Sequence, residues 1–228
     1  MTAPHNKIEE GSVNVNHHDN IMPNCKTTFT EQRAYPIIHP TAYVHPLAAV
    51  IGDVTIGKRV MVAPCSSIRG DEGTPIHIGD HANVQDGVII HALETWSHGQ
   101  KISENLRTVD GKEYAVYVGN NVCLAHQALV HGPAVIRDNA FIGFQAMIFK
   151  SEIGEGCVVE FGAKVLGVNV PAGRYVPVSS VIAEQADADR LPKIDDSYPL
   201  RKLGSAVVEV NTQLADAYGG RIPTPEED

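Results

Sequence analysis

Aliphatic residues recur at every sixth position along most of this chain, and that period constrains the fold more than any other feature. Ile38, Val44, Val50, Ile56, Val62 and Ile68 fall at unbroken steps of six. The phase jumps by ten, resumes at Ile78, Val84 and Ile90, and returns after a longer interruption as Val118, Leu124, Val130, Ile136, Ile142 and Ile148. A step shortened by one leads to Ile153, Val159 and Val165, and Val170, Val176 and Ile182 complete the set. Two residues before many of these stands a small or β-branched side chain, as at Ala48, Ser66, Ala82, Ala128 and Ala146. Residues two apart in a strand face the same way, so each hexad directs one small and one large side chain inward. The period predicts short strands meeting at corners. Three hexads close one triangular coil, and about seven coils stack at the ~4.8 Å strand spacing into a mainly β, parallel β-helix over residues 36–182.

Two segments lie outside the repeat. Residues 1–35 form a polar N-terminal arm, and residues 183–228 form a helical segment and tail. "AEQADADRLP" at 183–192 predicts a short helix stopped by Pro192. "SYPLRKLGSAVVEVNTQLADAYGG" predicts a longer helix packed along the prism through Leu200, Leu203, Val207, Val210, Leu214 and Tyr218. No stretch approaches the ~18 to 20 apolar residues of a membrane helix. The arm lacks the apolar core of a secretory leader, and a net charge of −9 argues against a nucleic-acid partner. Together these predict a cytoplasmic protein. Cys25, Cys65, Cys123 and Cys157 form no Cys-x-x-Cys pair and read as free thiols. Cys123 precedes His126 by three residues, yet a buried thiol packing as a small hydrophobe is the commoner arrangement.

The coil frame places the polar residues. His91 follows Ile90 and His131 follows Val130, so the two occupy the same position on adjacent coils, and Arg69, after Ile68, falls one coil lower. His126 lies two residues after Leu124, at a different corner, above Asp86, which lies two after Val84. The aliphatic interior separates these columns within one prism. A cyclic trimer docked edge to edge would bring them together, with Arg69 facing Asp86 across the interface. Three neutral imidazoles around one open position make a catalytic zinc-type site. The competing reading is of histidines satisfied in loops or in a polar interface. His5, His17, His18, His39, His45, His77 and His81 have no such column and read as solvated.

"SIRGDEG", "NVQDGVIIHALE", "VDGKEYAVYVGNNVCLAHQALVHGP" and "FIGFQAMIFKS" closely resemble gamma-class carbonic anhydrases, notably the archaeal type from methanogens, over residues 36–219. The resemblance implies a left-handed β-helix, a handedness the spacing itself does not fix. It implies a homotrimer holding one zinc per chain, or ferrous iron or cobalt in its place, on His91, His126 and His131. It further implies reversible hydration of carbon dioxide to bicarbonate and a proton. Matching positions put Glu72 and Gln85 beside the reacting water, Asn83 and Asn211 in the polar pocket, and the proton shuttle at Glu94. Outside the resemblance, Asn83 and Gln85 also read as turn caps, and Glu72 as a solvated loop charge.

This chain departs from the archaeal pattern in two places. Its loop "LETWSHGQKISENLRT" carries Ser97 and His98 where the archaeal type has acids, which makes His98 a candidate proton relay, and Glu209 replaces a Tyr two residues before Asn211. Two rival functions share the fold. A hexapeptide-repeat acyltransferase needs one His and a groove for an acyl thioester. A non-catalytic assembly or scaffold subunit needs no such set of residues at all.

Overall fold

The computed structural model describes residues 20–30 and 32–221. His5, His17, His18 and the tail from 222 lie outside the described residues. The chain winds into three parallel sheets that form the faces of a triangular prism. Each hexad supplies a strand of two to four residues, too short to persist alone and completed by hydrogen bonds to the coils above and below.

The register follows the repeat coil by coil. On the first face Ile38 pairs with Ile56, Ile56 with Ile78, Ile78 with Val118 and Val118 with Ile136. On the second, Val44 pairs with Val62, Val62 with Val84 and Val84 with Leu124. On the third, Val50 pairs with Ile68, Ile68 with Ile90 and Ile90 with Val130. From Val50 to Ile182 every aliphatic of the repeat is buried, and Ile38 and Val44 are half-buried at the open first coil. Each such side chain contributes ~1.5 to 3 kcal/mol by leaving water, which makes this column the main source of stability. The corners carry polar ladders. The Lys58 N–H donates to Asp80 Oδ1 at 2.8 Å, that of Asp80 to Asn120 Oδ1 at 2.8 Å, and that of Asn120 to Asp138 Oδ1 at 2.9 Å.

The seven coils begin beneath the arm. Ile21–Met22 pairs in parallel with Val50–Ile51 as an eighth strand of the third face, so the sheet extends past the expected boundary at residue 36. Asn20 Nδ2 donates to the carbonyls of Ala48 at 2.6 Å and His45 at 3.2 Å, and Asn24, buried, bonds Ala34 N–H and Gln32 C=O. An uncovered first coil would offer its backbone to another chain; the arm blunts that edge.

At the other end α1 (Gln185–Arg190) covers the last coil through Ala188, with Leu191 just after it. Helix α2 (Leu203–Tyr218) returns along the second face over Met61, Asn83 and Cys123, and Arg59 donates to Asp216 near its end. The expected helix exists, and Leu200, Leu203 and Val207 pack against the second face as expected, but further along the buried stripe is different. Val208, Thr212 and Ala215 face the sheet, while Val210 and Tyr218 are 56% and 60% exposed. Small side chains let the helix approach Met61 and Ala63 closely, so a stripe of large residues is not required there. No helix among the described residues is long and apolar enough to cross a membrane.

Candidate metal centre

Both interruptions of the repeat leave the prism at one corner, between the third face and the first, on adjacent coils. Residues 71–75 follow the strand Ser67–Gly70, and residues 93–115 follow Ile89–Ala92. Gly73 lets the two loops touch: a Cβ there would stand 2.3 Å from Ala92 Cβ. The corner therefore gathers the loop-borne acids beside the outward face of Ile89–Ala92.

His91 and His131 pair in register on that face, ring centroids 5.5 Å apart and nearly perpendicular. His131 Nδ1 lies 3.1 Å from the Gly132 carbonyl, an acceptor only, which assigns the proton to Nδ1 and leaves Nε2 free. His91 Nε2 is buried without a hydrogen-bond partner among the described residues, with Asp71 Oδ1 at 3.4 Å and Glu72 Oε2 at 3.5 Å. Burial, then the Arg69 charge, lowers the His91 pKa and favours the neutral ring that a metal needs.

His126 stands at a corner of the second face, away from this pair. Its Nδ1 lies 3.0 Å from Asp86 Oδ2, a charge-pair contact that leaves the opposite edge of the ring, with Nε2, open. His126 and Asp86 are both exposed, and Phe144 stacks on Phe161 beside them. Among the described residues of one chain, no three His, Cys, Asp or Glu side chains surround a common point. The expected Arg69–Asp86 pair is not formed within one chain: Arg69 Nε donates to Asp71 Oδ2 at 3.0 Å, and Asp86 lies beside His126.

The three imidazoles fit a divalent metal by their chemistry. His131 has Nδ1 bonded to a carbonyl, as ligating histidines ordinarily do, His126 has Nδ1 beside a carboxylate, and His91 presents an orphaned buried nitrogen beside two carboxylates.

The second face holds the amides. Asn83 is fully buried beneath α2 with neither amide atom partnered among the described residues, and Gln85 Oε1 is likewise buried and unpartnered. Gln85 Nε2 lies 3.8 Å from Cys123 Sγ. Asn211, on α2, donates to its own helix at Val207 O, 2.9 Å away. Glu94 is half-buried on the longer loop, its carbonyl accepting from Asn105 Nδ2 at 2.8 Å. His98 is exposed at the turn joining Trp96–Ser97 to Gln100–Lys101.

Three participants were not legible as such in the sequence. Asp71 links Arg69 to His91. The arm ties both loops down, Thr30 Oγ1 donating to the Asp71 carbonyl and the His98 N–H to the Thr28 carbonyl, each at 2.8 Å. Cys123 joins the amide cluster. Of the histidines read as solvated, His39, His45, His77 and His81 are all half-buried, and His77 is stacked on Tyr117 with centroids 5.1 Å apart.

No family model matches the chain. A carbonic anhydrase of Methanosarcina thermophila is 52% identical over 207 residues, which cover 90% of this chain and 84% of that protein. The carboxysome assembly protein CcmM of a Nostoc species is 44% identical over 192 residues, 84% of this chain but only 33% of the relative's length. Among solved structures, a candidate acetyltransferase from Bacillus cereus matches 88% of this chain and 98% of its own, with a TM-score of 0.65 at 22% identity. A likeness at that identity is one of fold alone.

Proposed function

From the premise that the chain belongs to the gamma-class carbonic anhydrase family, we propose that it hydrates carbon dioxide at metal sites shared between copies of a homotrimer. His91 and His131 of one copy and His126 of another would hold the metal, one per chain, with zinc, ferrous iron or cobalt all compatible with three imidazoles. The observation that carries this reading is the in-register His91–His131 pair with an uncommitted Nε2 on each ring.

When bound, such a metal supplies the Lewis acidity that makes water a nucleophile near neutral pH, as is established for carbonic anhydrases. The chain's own residues do the rest. Gln85 Oε1, buried and otherwise unpartnered among the described residues, accepts a hydrogen bond from the reacting water and so aims the water's lone pair at the carbon of carbon dioxide. Glu72, next to His91, orients the same water from the loop side. Asn83 and Asn211 keep the pocket polar as charge moves onto the bicarbonate oxygens. The balance is one carbon dioxide and one water giving bicarbonate and one proton. Glu94 takes that proton outward.

An assembly role is the second reading, favoured by the 44% identity to CcmM. Stopped-flow hydration by metal-loaded protein against its chelated form separates the two. Activity that chelation abolishes and metal restores supports the enzyme; a loaded trimer without hydration above the buffer rate supports assembly. Sedimentation should give three times the chain mass, and a monomer that retains metal would overturn the shared site.

A further inference from the structure

We infer that Cys123 is a positioning residue: its sulfur holds the amide nitrogen of Gln85, and thereby turns the amide oxygen toward the reacting water. The inference rests on the reading of Gln85 given above.

Cys123 sits on the outside of the second face, in register between Asn83 on the coil below and Phe141 on the coil above. Helix α2 covers it completely, and Ala125, Phe141, Val158 and Val208 make its surroundings apolar. Burial pushes the thiol pKa up to about 12, so the side chain is neither a thiolate ligand nor a nucleophile at neutral pH. What remains is weak hydrogen bonding: Gln85 Nε2 lies 3.8 Å away, and the Asn83 amide, in register on the coil below, also stands beside the thiol.

The two ends of a glutamine amide differ in chemistry, one carrying two donors and the other only accepting. Nothing in the backbone at Gln85 chooses between them; a neighbour must. Sulfur taking an N–H fixes the donor end against the sheet and leaves Oε1 as the free end, buried and without a partner among the described residues. In the reverse orientation Gln85 would offer donors to a site that needs an acceptor. A thiol here therefore does more than fill space beneath α2.

Five variants test this: Gln85→Ala, Cys123→Val, Cys123→Ala, Cys123→Ser and the double variant of the first two. Valine removes the acceptor and adds one methyl, alanine removes it without adding bulk, and agreement between the two separates orientation from packing. Cys123→Val should lower kcat/KM about tenfold, the worth of one oriented hydrogen bond, with metal content and trimer mass retained. Serine supplies the acceptor again and should recover most of that loss. In the Gln85→Ala background Cys123→Val should cost nothing further, since the interaction is already gone. Amide NMR of the metal-free protein gives a readout independent of turnover. The Gln85 side-chain NH2 signals should stay sharp and slow to exchange in the parent and in Cys123→Ser, and shift in Cys123→Val. Should Cys123→Val fail to fold, Cys123→Ala serves the same comparisons. Parental turnover and unmoved NH2 signals without the thiol, while Gln85→Ala is impaired, would overturn the positioning role alone. Additive losses in the double variant would reduce Cys123 to packing. Parental turnover in Gln85→Ala would instead sink the reading of the site beneath it.

Discussion

Asp86 Oδ2 lies 3.0 Å from His126 Nδ1, one coil below it at the same corner of the prism. A carboxylate so placed favours the Nδ1–H tautomer, and on the proposed reading it would turn Nε2 toward the metal. Asp86→Ala should lower metal affinity ~10- to 100-fold, the usual effect of losing such a support. His126→Ala should abolish binding, because two imidazoles remain where three are needed. Competition against a chelator measures both, with circular dichroism checking that the coils persist. Full metal occupancy in His126→Ala would remove that residue from the centre.

The repeat made the prism legible because each coil touches only its neighbours, so one local pattern, iterated, fixes the register from Ile38 to Ile182. The same frame made the His91–His131 pair and the Asp86–His126 pair legible, since a residue's place in its hexad decides which neighbour it meets. Features without a period stayed hidden. Ile21–Met22 is too short a strand to carry a pattern. Asp71 reaches His91 through a loop whose path no spacing encodes. Helix α2 misled only in its later turns: Leu203 and Val207 pack as expected, but beyond them Val210, Leu214 and Tyr218 are exposed and the sheet beneath selects Val208, Thr212 and Ala215 by closeness of approach.

The arm can be tested through Asn24. Its side chain is buried, donating to Gln32 O at 2.9 Å and accepting from Ala34 N at 2.6 Å. Asn24→Ala leaves both groups unpaired beneath the arm, at a cost of ~1 to 3 kcal/mol for each that stays desolvated. Hydrogen exchange should report it as faster exchange at Ile21–Met22 and Ala34. Protection equal to the parent would mean that the arm is held elsewhere.

His77 predicts part of the acid sensitivity. Burial, chiefly, holds its pKa below the ordinary value, with Asp80 opposing and Lys112 adding to the shift. The unfolded chain titrates near ~6.5. Below that pH the unfolded state binds a proton that the folded state resists, so stability is full above ~6.5 and falls as pH drops toward the folded pKa. His77→Phe, which preserves stacking on Tyr117, should flatten that slope in denaturant midpoints measured across the interval. An unchanged slope would assign the acid sensitivity to other groups.

Proton export is the remaining step. Each hydration releases a proton that must leave before the next turnover, and a positioned acid–base group contributes ~10²- to 10⁴-fold to such a transfer. Glu94 is half-buried on the loop leaving the His91 strand, three residues beyond the ligand. His98 stands exposed at the next turn, held in place by its N–H on the Thr28 carbonyl at 2.8 Å. On the proposed reading, the half-buried carboxylate would pass protons to the exposed imidazole, a path from pocket to buffer in place of the neighbouring acids this loop lacks. Glu94→Ala should therefore depress kcat in dilute buffer and spare kcat/KM, because carbon dioxide is attacked before the proton leaves. Imidazole in the buffer should restore much of the loss. His98→Ala should show the same pattern more weakly, since Glu94 can still reach solvent through buffer. Parental kcat in dilute buffer for Glu94→Ala would move the exit elsewhere on the corner, and for His98→Ala alone would leave Glu94 working without a relay.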